Sequence, residues 1–393
     1  MAKQGRIVVL GAGPAGMAAA IALSQTEHEV LLLERYAEAR PAGNILNLWP
    51  PPIKALGLIG VDTKDLGAPC QSEFRRADGK VRAVVHLPDE VVKKYGGGFI
   101  GMLRPQLYTR LLKALPQGVL RLNTNVERIE QDDQGVTLHL ADGSKIEADV
   151  LVGADGIDSM VRKTLWGDEP KREHNLHIIG GFTLNAPTGI PTGRCVVSHT
   201  SSVQGSWTAI MHEGKPGYQW WVLEAHDGKK DFNGNLKEHA TKLGADFASP
   251  LPELIAMTEA ANCQRWVIRD RPALKQWSKG RITLVGDAAH PTSPYAAYGA
   301  GMSIEDGYFL SRKLAGVDLK DAAAVSAALS EYEQPRKPHT AFQVKMAYNL
   351  GQMFHHAPKV LRPVRDAFFD NTKFLQKMIG DVTPGEIIKQ IDD

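Results

Sequence analysis

Ile7-Val8-Val9-Leu10-Gly11-Ala12-Gly13-Pro14-Ala15-Gly16 opens the chain, and its reading decides the fold. Four consecutive apolar residues suit a strand buried on both faces of a parallel sheet. In the Gly-x-Gly-x-x-Gly turn that follows, Gly11 permits the tight turn and Gly13 lets backbone approach a pyrophosphate. Gly16, beyond Ala15, allows close helix–strand packing. Residues 17–23 read as a small-residue helix whose N-terminus offers unpaired N–H groups and partial positive charge to phosphates. The next buried run, Val30-Leu31-Leu32-Leu33, ends at Glu34. A carboxylate at that strand end accepts hydrogen bonds from ribose hydroxyls and disfavours a 2′-phosphate, which predicts FAD or NAD rather than NADP. A glycine turn by itself is only a turn; strand, turn, helix and acid together predict a dinucleotide site.

Two further loops follow buried strands. The run 148–152 leads into Gly153-Ala154-Asp155-Gly156-Ile157-Asp158-Ser159-Met160-Val161-Arg162. Its plain reading is a strand-to-helix turn with Asp158 or Ser159 as N-cap, which does not exclude a cofactor role. Parallel-strand character returns at Arg281-Ile282-Thr283-Leu284-Val285, before Gly286-Asp287-Ala288-Ala289-His290, Pro294, Gly299, Gly301 and Ile304-Glu305-Asp306. Asp287, at a strand end beside Gly286, suits a polyol. Glycines after Pro294 let N–H groups at a helix start face an anion or a polarised carbonyl.

The rest of the chain sets the organisation. Residues 41–60, Pro- and Gly-rich, predict an irregular stretch. A helix is expected from Arg104 or Pro105 to residue 115, then a strand pair at 120–123 and 136–140. From 172 to 270, short alternating segments such as 206–211 and 218–223 predict a mainly antiparallel sheet. The pattern beyond Met302 is helical, with breaks expected at Pro335, Pro338, Pro358 and Pro363. The fold class is therefore α/β. A discontinuous Rossmann-like domain (1–75, 103–171, 271–330) is interrupted by a substrate-domain insert (76–102) and a β-sheet substrate domain (172–270), and a helical region (331–393) follows.

Composition excludes several classes. The 393 residues carry 46 basic and 44 acidic side chains, net +2, which gives no electrostatic footprint for nucleic acid or a membrane surface. Cys70, Cys195 and Cys263 lie far apart, so neither metal-ligand nor redox-pair spacing is present and no metal is expected. The apolar run before Gly11 is too short for a signal-peptide core, and none reaches the roughly 18 residues of a membrane span. A reduced, cytoplasmic setting is the expectation.

Taken together, the three loops stand in the order and at the spacing of the single-component FAD-dependent aromatic hydroxylases. The chain resembles that family from Ile7 to about Leu314, with salicylate- and hydroxynicotinate-hydroxylase-like members nearest in pattern. The resemblance implies that Gly11, Gly13, Ala15 and Gly16 hold the FAD pyrophosphate, Glu34 the adenosine ribose, with Arg35 beside the adenine half. Arg104, in Leu103-Arg104-Pro105-Gln106-Leu107, matches an arginine reaching the FAD ribose or phosphates. Asp155 and Gly156 match an Asp-Gly motif serving FAD and NAD(P)H, with Arg162 following. Gly286 and Asp287 match the ribityl-binding pair and Pro294 a proline beside the isoalloxazine, whose pyrimidine edge the backbone of Gly299, Ala300, Gly301 and Met302 would cap. One departure is Tyr298, which stands where the family more often has an amide.

The implied chemistry is hydroxylation of an aromatic or heteroaromatic small molecule. NAD(P)H, as co-substrate, is the reductant, dioxygen the oxidant, and a flavin hydroperoxide the oxygen donor. Epoxidation, Baeyer–Villiger insertion and oxidative decarboxylation are alternatives on the same machinery. A non-catalytic flavin- or ligand-binding resistance protein is the alternative of a different class. His290 and Tyr298 are the candidate catalytic groups, although a histidine at that place is also explained by structure alone. Tyr218, Trp220, Trp221, Tyr295 and Tyr298 are expected to line an apolar pocket, with Tyr218, Trp220 and Tyr295 as substrate contacts. Ordinary core packing of Tyr218 and Trp220 is the competing reading. Oligomeric state is left open.

Overall fold

The computed structural model describes residues 4–38, 44–185, 188–226, 232 and 234–389. Its first sheet is five-stranded and parallel. In spatial order the strands are Ile282–Leu284, Val150–Gly153, Arg6–Leu10, Glu29–Leu33 and Leu120–Arg121. These strands come from widely separated stretches, so the nucleotide-binding domain is discontinuous. Helices Pro14–Leu23 and Gly299–Leu314 pack together beside it. Buried residues Ile7, Val9, Leu32 and Val150 form its centre. Full burial of such side chains stabilises by about 1.5–3 kcal/mol each.

The second sheet has seven strands, ordered Gln264–Asp270, Arg172–Thr183, Lys215–Ala225, Val203–His212, Arg194–His199, Gln71–Arg76 and Val81–Val84. Its pairs are antiparallel except that between Arg194–His199 and Gln71–Arg76. The sheet therefore draws its last two strands from residue 71 onward, earlier than the expected insert at 76.

Three local expectations need correction. Within 41–60, residues 41–43 lie outside the described residues, but Ile45–Leu48 is a strand and Pro50–Leu58 a helix. Pro50, Pro51 and Pro52 occupy its first turn, where N–H groups have no intrahelical partner, so proline costs no hydrogen bond there. The strand Val136–Leu140 pairs with Val126–Gln131 and Lys145–Ala148, whereas Leu120–Arg121 joins the parallel sheet. The polar Val126–Gln131 was missed because only Val126 and Ile129 are buried in it.

Finally, Pro335 and Pro338 do not break helix Ala322–His355. An interior proline costs about 3 kcal/mol. Tertiary contacts on the same turns offset it: Arg336 is ion-paired with Glu305 and Asp306, and Glu333 accepts the N–H groups of Trp277 and Ser278. The helix does end before Pro358, and Pro363 opens Arg362–Asn371.

Candidate active site

One large cavity, about 550 Å³, lies between the parallel sheet, the seven-stranded sheet and helix Ala322–His355. Its two halves differ in chemistry.

The first half is built from strand ends. Gly11 turns the chain with φ +105°, and a Cβ at Gly16 would stand 1.8 Å from Gly11 O, so the turn excludes a side chain there. Gly13 lines the cavity, and a Cβ on it would meet nothing within 4 Å. It leaves a bare backbone cradle at the start of helix Pro14–Leu23. Ala15 lines the cavity too, backed by Gly286, whose φ is +59° and whose added Cβ would approach Ala15 Cβ to 2.6 Å. Glu34 accepts the Ala12 N–H at 2.9 Å and the Tyr36 N–H at 3.1 Å, so its carboxylate sits at the glycine loop. Tyr108 donates to Ala12 O, and burial, then Glu34, pushes its pKa to about 12.

Arg104 and Asp287 both line this half. Their polar ends reach the cavity space while protein surrounds them. That enclosure lowers the pKa of Arg104 and raises that of Asp287. Their mutual attraction, with His290 also acting on Asp287, opposes both shifts. Gly156 lines the wall at φ +79°. Asp155 stands beside it, accepting from Ser159 Oγ and from the N–H groups of Met160 and Val161. Of the two N-cap candidates, Asp158 and Ser159, it is Ser159 that caps Met160–Trp166.

Pro294, Gly299 and Ala300 close this half. Ala297 takes a left-handed φ of +46°, uncommon outside glycine, and Trp49 Nε1 holds its carbonyl at 3.1 Å. Helix Gly299–Leu314 starts there with no side-chain cap, so its first N–H groups lack intrahelical acceptors.

A bare backbone cradle, a helix start without a side-chain cap and an enclosed Arg–Asp pair fit a dinucleotide carrying phosphates and a polyol. They fit FAD.

Other expected cofactor residues lie off the wall. Arg162 is buried, donating to the carbonyls of Ala288 and Ala289 and to Glu169. It ties two loops together rather than facing the cavity. Arg35 lies over the Tyr36 ring at the surface. Gly301 and Met302 sit in the first turn of Gly299–Leu314, with Met302 fully buried and its carbonyl accepting from Arg336.

His290 and Tyr298 are joined by a buried chain of polar groups. Tyr298 donates to Glu305 at 2.5 Å, Glu305 and Asp306 both pair with Arg336 at 3.0 Å, and Asp306 Oδ2 meets His290 Nε2 at 2.6 Å. Burial raises Glu305 to about 7 against the pull of Arg336. Burial also works to raise Asp306, but His290 and Arg336 outweigh it and hold its pKa low. Tyr298 lines the cavity, yet its hydroxyl is committed to Glu305, and burial followed by Glu305 raises its pKa well above the usual value. His290 is absent from the wall and packs on Trp277. Both expected catalytic groups belong to this buried chain, and Tyr298 also forms part of the cavity wall.

The second half is the inner face of the seven-stranded sheet. Strand alternation puts Ser72, Phe74, Cys195, Gln204, Trp221 and Leu223 on the cavity side. The same alternation corrects the expectation for Tyr218 and Trp220, which point to the opposite face. There Tyr218 donates to Ile190 O, and Trp220, 0% exposed, donates to Thr258 Oγ1. Tyr295 does line the cavity. Facing the sheet, Met346, Leu350 and Phe354 form a stripe at four-residue spacing on Ala322–His355, so the C-terminal helical region covers the site. On the sheet's outer face, Glu224 accepts from both His177 and His239; these three form a metal-capable group among the described residues.

Fold and cavity define an α/β flavin-nucleotide protein with an aromatic-lined chamber beside the cofactor loops. Residues 5–347 match the FAD binding domain family, and the chain belongs to it. A 6-hydroxynicotinate 3-monooxygenase of Bordetella bronchiseptica is 32% identical over 346 residues, covering 84% of this chain and 87% of that protein. The 3-amino-4-hydroxybenzoate 2-monooxygenase PtmB3 of Streptomyces platensis is 31% identical over 366 residues, covering 89% and 88%. Among solved structures, Klebsiella pneumoniae HpxO complexed with FAD and uric acid superposes with a TM-score of 0.83 at 22% identity, covering 98% of this chain and 97% of that one. The chain is an FAD-dependent monooxygenase. Among the described residues, no helix is long and apolar enough to cross a membrane.

Proposed function

We propose that this monooxygenase hydroxylates a small aromatic or heteroaromatic molecule, with NAD(P)H and dioxygen as co-substrates. The observation that carries the reading is the join between the two halves of the cavity. The polar wall of Gly13, Arg104, Gly156 and Asp287 runs through the 294–300 loop directly into a wall of aromatic and aliphatic side chains. FAD, when bound, supplies the redox chemistry of hydride acceptance and oxygen activation.

The protein's own residues bind, orient and exclude water. Gly11, Gly13, Ala15 and Gly16 would present backbone to the pyrophosphate, and Glu34 would receive the adenosine ribose. Asp287 receives the ribityl hydroxyls and Arg104 the phosphate region. The backbone around Pro294, Gly299 and Ala300 carries the ring system. Trp221, Phe74 and Phe354 keep the reacting ring away from bulk water. All three cysteines are free and buried, which suits a reducing compartment, and we assign the protein to the cytoplasm.

The test is NAD(P)H consumption by the FAD-loaded protein against a panel of phenolic and heteroaromatic compounds under ¹⁸O-labelled dioxygen, with mass spectrometry of products. Stimulated oxidation with one labelled oxygen in a hydroxylated product is expected. Stimulated oxidation yielding peroxide alone across the panel contradicts the reading. A ring-expanded or decarboxylated product replaces hydroxylation with another oxygen-transfer outcome.

A further inference from the structure

On the outer face of the seven-stranded sheet, three ligating side chains converge from three elements. His177, on strand Arg172–Thr183, and Glu224, on strand Lys215–Ala225, are direct cross-strand partners. Alternation sets both on the outer face, since their neighbours Ile178 and Leu223 line the cavity on the other. His239 reaches them from helix Leu236–Gly244. Asn235 caps that helix by accepting the Lys237 and Glu238 N–H groups. Ala240, fully buried, packs it into the apolar cluster that holds Trp220 and Val222. A fixed start and a packed face leave His239, one turn in, beside the two strand residues.

Both imidazoles aim at one oxygen. His177 Nε2 stands 3.0 Å and His239 Nε2 2.5 Å from Glu224 Oε1, and the three ligand atoms lie within 4.8 Å of one another. Zinc bound at about 2.0–2.2 Å by nitrogen and oxygen in tetrahedral geometry spaces its ligand atoms about 3.3 Å apart. The two carboxylate–imidazole separations fall within about 1 Å of that spacing.

The donor set selects the ion. Two imidazoles and a carboxylate suit zinc and its first-row neighbours, whereas magnesium and calcium take oxygen ligands. The His177 side chain is buried, while those of Glu224 and His239 are 24% and 27% exposed, so the cluster has a closed floor and an open rim. An ion can enter at the rim without crossing the core. The Phe232 ring lies 4.8 Å from His239, and the His226 ring stacks on His177 at 5.2 Å. These rings limit water around the donors. Three protein ligands leave a fourth position for a water molecule.

We propose that His177, Glu224 and His239 form a zinc site that pins helix Leu236–Gly244 to the outer face of the sheet. The site is separate from the flavin cavity, because His177 and Glu224 point away from it on strands whose alternate residues form its wall. The ion braces the sheet and takes no part in oxygen transfer, so the proposal stands independently of the monooxygenase reading. The three residues lie 47 and 15 positions apart in sequence, and the cysteine spacing that predicts no metal does not bear on them.

The experiment uses the untagged, FAD-loaded protein, stripped with a chelator and re-equilibrated with zinc chloride, with bound metal counted by mass spectrometry. One zinc per chain is expected, with a dissociation constant of about 1 μM or tighter. Glu224→Gln and His239→Ala should each weaken binding at least about tenfold. His139→Ala, which breaks the surface His139–Glu130 pair, should leave it unchanged. Zinc should raise the melting temperature of the parent and of His139→Ala but not of the two site variants. FAD content reports that each variant is folded. Cobalt in place of zinc gives a reading that needs no variant. A four-coordinate ion produces intense visible bands to the red of the flavin absorbance, and an octahedral surface ion only weak ones. A protein that takes up no zinc, an affinity that ignores both site substitutions, or cobalt with weak octahedral bands alone overturns the proposal. The cluster is then held by hydrogen bonds only. A flavin spectrum that zinc shifts in the parent but not in the site variants overturns the separation from the cavity.

Discussion

The two halves of the cavity use opposite strategies. The cofactor half is made of backbone and fixed charge: glycines where a side chain would collide, a helix start, and Arg104 with Asp287 enclosed by protein. The substrate half is made of side chains projecting from one face of a sheet and one stripe of a helix. The first recognises phosphates and hydroxyls through groups that sequence alone announces. The second recognises shape, and the residues that provide it look like any buried strand or helix.

The largest expected effects test whether the polar chain between the halves is structural. Arg336→Met leaves Glu305 and Asp306 buried without their cation, and should cost about 3–5 kcal/mol of stability in urea unfolding. A loss under 1 kcal/mol would mean the two acids find other partners. The two faces of the seven-stranded sheet give the next contrast. Trp220→Ala should cost about 3–5 kcal/mol, as for a large core side chain. Trp221→Ala should cost clearly less stability while changing aromatic ligand affinity more. Equal ligand effects from the two would erase the distinction between inner and outer face.

In the cofactor half, Gly13→Val places a branched side chain in the cradle. FAD affinity should fall about ten- to a hundredfold, the equivalent of about 1–3 kcal/mol of overpacking, with the apo-protein's melting temperature little changed. Unchanged FAD affinity would move the pyrophosphate away from this loop.

The smallest effect is a pH dependence. Burial raises Glu305 from 4.5 to about 7, so the folded state holds a proton that the unfolded state releases. Its stabilising contribution is complete below pH 4.5 and is lost as pH rises through about 7. Glu305→Gln, neutral throughout, should therefore gain stability relative to the parent between about pH 5 and about pH 8. A parallel course for the two proteins would show Glu305 ionised in the fold across that range.

What the sequence made legible follows the same division. Gly13, Arg104, Gly156 and Asp287 line the cavity because their motifs constrain backbone and strand ends, and such constraints are local. Trp220 and Trp221 were legible as facing opposite sides, since alternation states that neighbours oppose one another. Which face meets the cavity depends on packing against distant helices. The pattern beyond Met302 was legible as helical, but not that Met346, Leu350 and Phe354 face the cavity. His290 looked catalytic because it stands beside the third cofactor loop in sequence. Its partner Asp306 lies sixteen residues away, and only the folded helix brings the two together. Pro335 and Pro338 misled because the ion pairs that carry the helix past them are tertiary.

The most direct test of the two-half account is a crystal structure of the FAD complex soaked with 3-methylphenol or 4-hydroxyquinoline. The account predicts the pyrophosphate at Gly13, the ribityl chain at Asp287 and the isoalloxazine against the 294–300 loop. It places the ligand between that ring and the Trp221–Leu223 face. A ligand seated on the Tyr218–Trp220 face, or a flavin ring lying outside this cavity, would contradict it.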